Sequence, residues 1–149
     1  RARSLSAAQW RVVVASLLLL PLVDRSLRWR GFVATAAALA ARSEQPARAA
    51  AVAEAQTTAA AVDLAAARRR LGARCLPRSL VLWFLLRRVG IDAELRLGAA
   101  GADPPGTLAA HAWVEVAGVA LNEAAGVPER FGCFDLLLPR LTPTTPRPT

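Results

Sequence analysis

Residues 75–90 read CLPRSLVLWFLLRRVG and residues 110–116 read AHAWVEV. In the first stretch Leu80, Trp83, Phe84 and Leu86 recur at helical spacing and Gly90 supplies a stop, which predicts a helix over Leu76 to Val89 with Cys75 just ahead of it. Pro77 falls in the first turn, where a missing N–H removes no intrahelical bond. The second stretch alternates, so a strand would carry His111, Trp113 and Glu115 on one face and Ala112, Val114 and Val116 on the other.

Working outward, further short segments have β-character: Ala93 to Leu97, Val119 to Asn122 and Phe131 to Leu138. Gly98 to Thr107, rich in Gly, Ala and Pro, reads as a loop. A two-residue turn at Ala117-Gly118 would set Val116 against Val119 and Val114 against Leu121, apolar against apolar. In that register Asn122 faces Trp113 and shares the His111 face, while Glu123 points to the opposite one. A three-residue turn would exchange the two.

Toward the N-terminus the pattern is helical. Ser6 to Gln9 has the form of a capping box, opening a helix from about Ala7 to Leu20. Asp24 to Ala41 is a second helical stretch, and Pro46 can open a third that runs to Leu71 and stops at Gly72. The order of elements is α+β: a helical region over 1–72 within the same compact unit, a core over 73–138, and a Pro/Thr tail over 139–149 expected to be mobile.

Composition narrows the function. A chain of 149 residues with 54% hydrophobic residues builds one sizeable core without crosslinks, so its two cysteines need not form a disulfide framework. All 19 cations are arginine, in keeping with a GC-rich coding bias. The net charge of +8 belongs to residues 1–74, which hold twelve arginines against four acids; residues 75–149 hold seven of each. Such a half suits an acidic partner or, less favoured, a membrane surface; no recognition-helix or zinc-finger pattern supports nucleic acid. The longest uncharged run, Val12 to Val23, is too short to span a bilayer and lacks a signal-peptide cleavage site, so a cytoplasmic protein is expected.

Cys75, at a helix start, sits where the dipole and free backbone donors favour a thiolate. A cysteine nucleophile needs a base and a group to orient it. His111 is the only histidine, Asn122 the first choice as orienter and Glu123 the alternate. Trp113 is a candidate wall of the substrate groove. Arg78 and Ser79 read as packing and capping residues, and Cys133, in Phe-Gly-Cys-Phe, as structural. Two cysteines and one histidine do not make a zinc set, and no phosphate-cradling Gly-rich loop is present, so no metal or other cofactor is expected.

The run Cys75-Leu-Pro-Arg78-Ser79-Leu, continuing through Leu85 to Ala93, with Ala110-His111-Ala-Trp113-Val-Glu115, resembles the cysteine protease of lasso-peptide maturation, within the transglutaminase-like superfamily of the papain-like group. The resemblance covers roughly residues 60 to 138. It implies a nucleophile helix packed on a small antiparallel sheet that carries the base. It also implies a substrate: a ribosomally made precursor peptide, cut between leader and core to free the core amine for a partner ATP-dependent, lactam-forming cyclase. The chain looks like the stand-alone form, which works with a separate leader-binding protein. The family usually places an aspartate after the histidine strand, where this chain has Asn122 and then Glu123. Alternatives from other classes are an acyltransferase with the same triad and a non-catalytic docking scaffold.

Overall fold

The computed structural model describes residues 5–48, 52–69, 74–121, 123 and 126–134. Three long helices, α1 (Ala7–Ser43), α2 (Val52–Arg68) and α3 (Cys75–Arg88), precede the strands β1 (Ala93–Ala102), β2 (Thr107–Val116) and β3 (Val119–Leu121). A single-turn helix α4 (Val127–Arg130) leads into β4 (Gly132–Phe134). The four strands form one antiparallel sheet in the order β3-β2-β1-β4, and the class is α+β.

The capping box forms as its sequence dictates. Ser6 Oγ accepts from the Gln9 N–H at 3.2 Å, and Gln9 Oε1 accepts from the Ser6 N–H at 2.7 Å. From there the chain departs from the expectation of two helices split near residue 20. The helix runs through Pro21, which sits on the exposed side, while Val13, Ser16, Leu20 and Val23 stay buried along the other. Burial of that row, about 1.5–3 kcal/mol for each large side chain, outweighs the single hydrogen bond that a proline removes. The real break is Gly31 (φ 77°, ψ 176°), a backbone conformation that only glycine adopts cheaply. The uncharged run Val12 to Val23 thus lies inside α1, ahead of that break. By length and composition that helix could cross a membrane, a test that a core helix passes equally.

The third helix is described from Val52, not from Pro46, because residues 44–48 are non-helical and used otherwise. The Arg48 N–H donates to the Gly90 carbonyl at 2.8 Å, its Nε donates to the Val89 carbonyl at 2.7 Å, and its guanidinium pairs with Glu54. Gly90 (φ +76°) ends α3 as expected, and a Cβ there would lie 2.7 Å from the Pro46 carbonyl. The strand expected over 93–97 continues to Ala102, since pairing with β2 carries its Gly/Ala half into the sheet and shrinks the loop to 103–106. The turn register is the two-residue one, Val116 opposite Val119 and Val114 opposite Leu121. The expected last strand is described only over Gly132–Phe134, and the 139–149 tail lies outside the described residues.

The core lies between the helices and one face of the sheet, centred on Leu20, Val62, Leu80, Leu86, Val114 and Leu121. Two directional bonds fix α3 on that face. Ser79 Oγ donates to the Ala112 carbonyl at 2.8 Å, and one turn later Trp83 Nε1 donates to the Ala93 carbonyl at 3.0 Å. Ser79 is therefore a buried tie between helix and sheet, not a cap.

Candidate active site

Cys75 is the first residue of α3. Its N-terminal neighbour Arg74 makes no side-chain cap, so the N–H groups of the opening turn have no intrahelical acceptor. The Ser79 tie, one turn further on, holds this end of α3 against Ala112, the residue next to His111. Cys75 and His111 consequently line one cavity of about 330 Å³, with Phe32, Leu76, Leu97, Gly98, Ala110 and Ala112 forming the rest of its lining.

The imidazole has a carboxylate partner. His111 Nε2 lies 3.0 Å from Glu123 Oε2, and the Glu123 side chain is only 8% exposed. Its other oxygen accepts from Arg78 Nη2 at 2.7 Å, and Arg78 Nη1 stands 3.6 Å from Asp63 on α2. The expectation that Glu123 points away from His111 is corrected: Glu123 itself lies in no strand, so strict alternation does not govern where its side chain points. Asn122 lies outside the described residues. Arg78 is also more than a packing residue, because without a cation beside it a nearly buried carboxylate would carry an uncompensated charge.

Trp113 does not wall the cavity. It is fully buried (0% exposed), its ring stacked on His111 with centroids 6.0 Å apart, and its Nε1 donates to Glu115 Oε1 at 2.8 Å. Glu115 Oε2 in turn accepts from Arg96 Nε at 3.1 Å, and Arg96 also pairs with Glu94 at 2.6 Å. Desolvation alone would lower the Arg96 pKa; Glu94 and Glu115 outweigh it and raise it, so the cation that anchors this network is secure. Phe131 approaches the imidazole from another side, at 5.1 Å. Gly98, directly opposite His111 in the sheet, makes the approach possible: a Cβ there would lie 2.9 Å from Phe131 Cβ and 3.1 Å from Trp113 Cη2.

Sequence reasoning missed Phe32, Arg78 and Phe131. Phe32 reaches the cavity because the chain breaks at the preceding residue, and Gly31 inside a helical pattern was the available signal. Cys133, the rival thiol, lies on β4 opposite Gly98, is exposed, and does not line the cavity.

A thiol and an imidazole lining one cavity, with a carboxylate hydrogen-bonded to the imidazole, are the groups that covalent acyl chemistry uses. The chain belongs to the transglutaminase-like superfamily, whose family model matches residues 16–133, from within α1 to β4. Members of that superfamily are usually cysteine peptidases or acyltransferases. No curated protein and no solved structure matches the chain.

Proposed function

We propose that the protein is a cysteine peptidase that removes the leader from a lasso-peptide precursor. The observation that carries the reading is the cavity shared by Cys75 and His111, with Glu123 behind the imidazole. In this reading the Cys75 sulfur attacks the carbonyl carbon at the leader–core junction, and its proton passes to His111. The tetrahedral oxyanion is met by free N–H groups of the first turn of α3. As the C–N bond breaks, His111 gives the proton to the departing core amine, which leaves a thioester between Cys75 and the leader. Water then adds to the thioester with His111 as base, and the leader departs with a carboxylate while the thiol is restored. Glu123 holds the imidazole in one tautomer and stabilises its protonated form.

The freed amine is the group that a lactam-forming, ATP-dependent cyclase would join to an acidic side chain. A separate leader-binding protein completes the proposed system, and the cytoplasm, where the precursor is made, is its proposed compartment. Mass spectrometry of a cognate precursor with its leader-binding protein tests the reading: the wild-type protein should make one cut at the leader–core junction, and Cys75→Ala none. An intact precursor with both proteins, together with no iodoacetamide labelling at Cys75, would overturn it. Membership of a superfamily that includes acyltransferases supports a second reading, in which an amine resolves the thioester. A mass increase of the acyl fragment on adding an amine acceptor would reveal it.

A further inference from the structure

One face of α1 is turned away from the protein. Trp10, Val14, Leu18, Leu22 and Trp29, all ahead of the break at Gly31, lie on it, from 48% exposed at Trp10 to 76% at Trp29. Among the described residues the other large exposed apolar side chains are Val33, past the break, and Val89, Leu108 and Val119 on separate elements, and these need no explanation. The first four residues of the row follow one another at spacings of four, on a single ridge of the helix. From Trp10 to Trp29 the ridge is about 28 Å long at 1.5 Å per residue.

Charge decorates its two ends. Arg11 adjoins Trp10, and at the other end the Arg25 guanidinium lies 4.8 Å over the Trp29 ring with Arg28 next to it. The one acid of this half-helix, Asp24, is turned inward at 16% exposure and neutralised by Arg28 and Arg74. An aliphatic middle with tryptophan and arginine at both ends suits the boundary between hydrocarbon and anionic headgroups, where indole rings and guanidinium groups sit at the level of the phosphates.

We propose that this face of α1 docks the protein on the surface of an anionic lipid bilayer, with Val14, Leu18 and Leu22 entering the acyl boundary and Arg11 and Arg25 meeting lipid phosphates. A second copy of the chain fits the face poorly: antiparallel pairing sets Arg11 against Arg25 and Arg28, and parallel pairing sets each arginine against itself. The convex side of a single helix also offers a ridge and no cleft, which suits a fluid partner more than a folded one. The proposal stands apart from the peptidase reading, since binding to lipid needs neither Cys75 nor His111.

The test uses the full chain with vesicles of phosphatidylcholine alone and with roughly a quarter phosphatidylglycerol. Trp83 and Trp113 are buried in the fold, so a blue shift in emission and quenching by brominated acyl chains report Trp10 and Trp29. Partition into the anionic vesicles should exceed that into neutral ones about tenfold at low salt and fall as salt rises. Leu18→Ser with Leu22→Ser should weaken it several-fold while the near-UV circular dichroism stays unchanged, and Arg11→Gln with Arg25→Gln should erase the preference for anionic lipid. Equal partition into both vesicles, or wild-type binding by the serine variant, would overturn the proposal. So would a dimer in solution that the serine variant abolishes, or capture by polyglutamate without binding to vesicles; these would assign the face to a second copy or to an acidic polypeptide.

Discussion

The junction of α3 with β2 and the outer face of α1 are built in opposite ways. At the junction a chain of polar groups has directional partners: Ser79 on the Ala112 carbonyl, Arg78 on Glu123, Glu123 on His111, Trp113 on Glu115. On α1 the same fold leaves a row of large apolar side chains without any. Directional contacts in a buried setting tolerate little displacement, so they define one geometry, which acyl chemistry requires. Apolar surface attracts without direction and suits a contact that need not be exact.

That contrast is most sharply tested by Glu123→Gln, which keeps the shape of the site and removes the charge. Turnover of a leader–core substrate should fall about 10²–10⁴-fold by kcat, with KM little changed. Ser79→Ala leaves the Ala112 carbonyl buried without its donor and should cost about 1–3 kcal/mol in urea unfolding. Gly98→Ala forces Phe131 or β4 to shift, and should cost about 1–3 kcal/mol and lower kcat through the displaced imidazole.

The exposed pair Arg48–Glu54 tests an intermediate case. Its hydrogen bond to Arg48 lowers the Glu54 pKa below the ordinary carboxylate value, so its contribution to stability is present above that value and is lost as pH falls through the lower, folded-state one. Unfolding followed from neutral to acid pH should show a slightly shallower acid limb in Glu54→Gln. Least affected should be the double serine variant at Leu18 and Leu22, whose stability should stay within about 0.5 kcal/mol of wild type because both side chains already face outward. A larger loss would show that the ridge packs on the protein.

What could be read from the sequence followed from local rules. The Ser6–Gln9 box, the helix start at Cys75 and the Val116–Val119 register each depend on a few neighbouring residues, and all three form as the pattern dictates. What escaped depends on distant partners. Pro21 stays helical because its neighbours pack on α2 and α3, and the Gly/Ala half of β1 is a strand because β2 lies beside it. Glu123 reaches His111 because Glu123 itself lies outside any strand, which alternation cannot announce. Trp113 was the least legible, since an aromatic beside a histidine looks the same in sequence whether it faces a groove or fills the protein behind it.

Arg78 gives the molecule an indivisibility that its two textures of sequence conceal. The residue sits on α3, yet it leans on Asp63 of α2 and holds Glu123 beyond β3, while Phe32 of α1 closes the cavity from the opposite end of the chain. A fragment cut to begin at Cys75 would keep the thiol and the imidazole but lose one cavity wall and one anchor of the arginine. Recombination between relatives at that point would therefore yield hybrids whose two halves must match, with the Asp63–Arg78 contact as the seam where mismatch first tells.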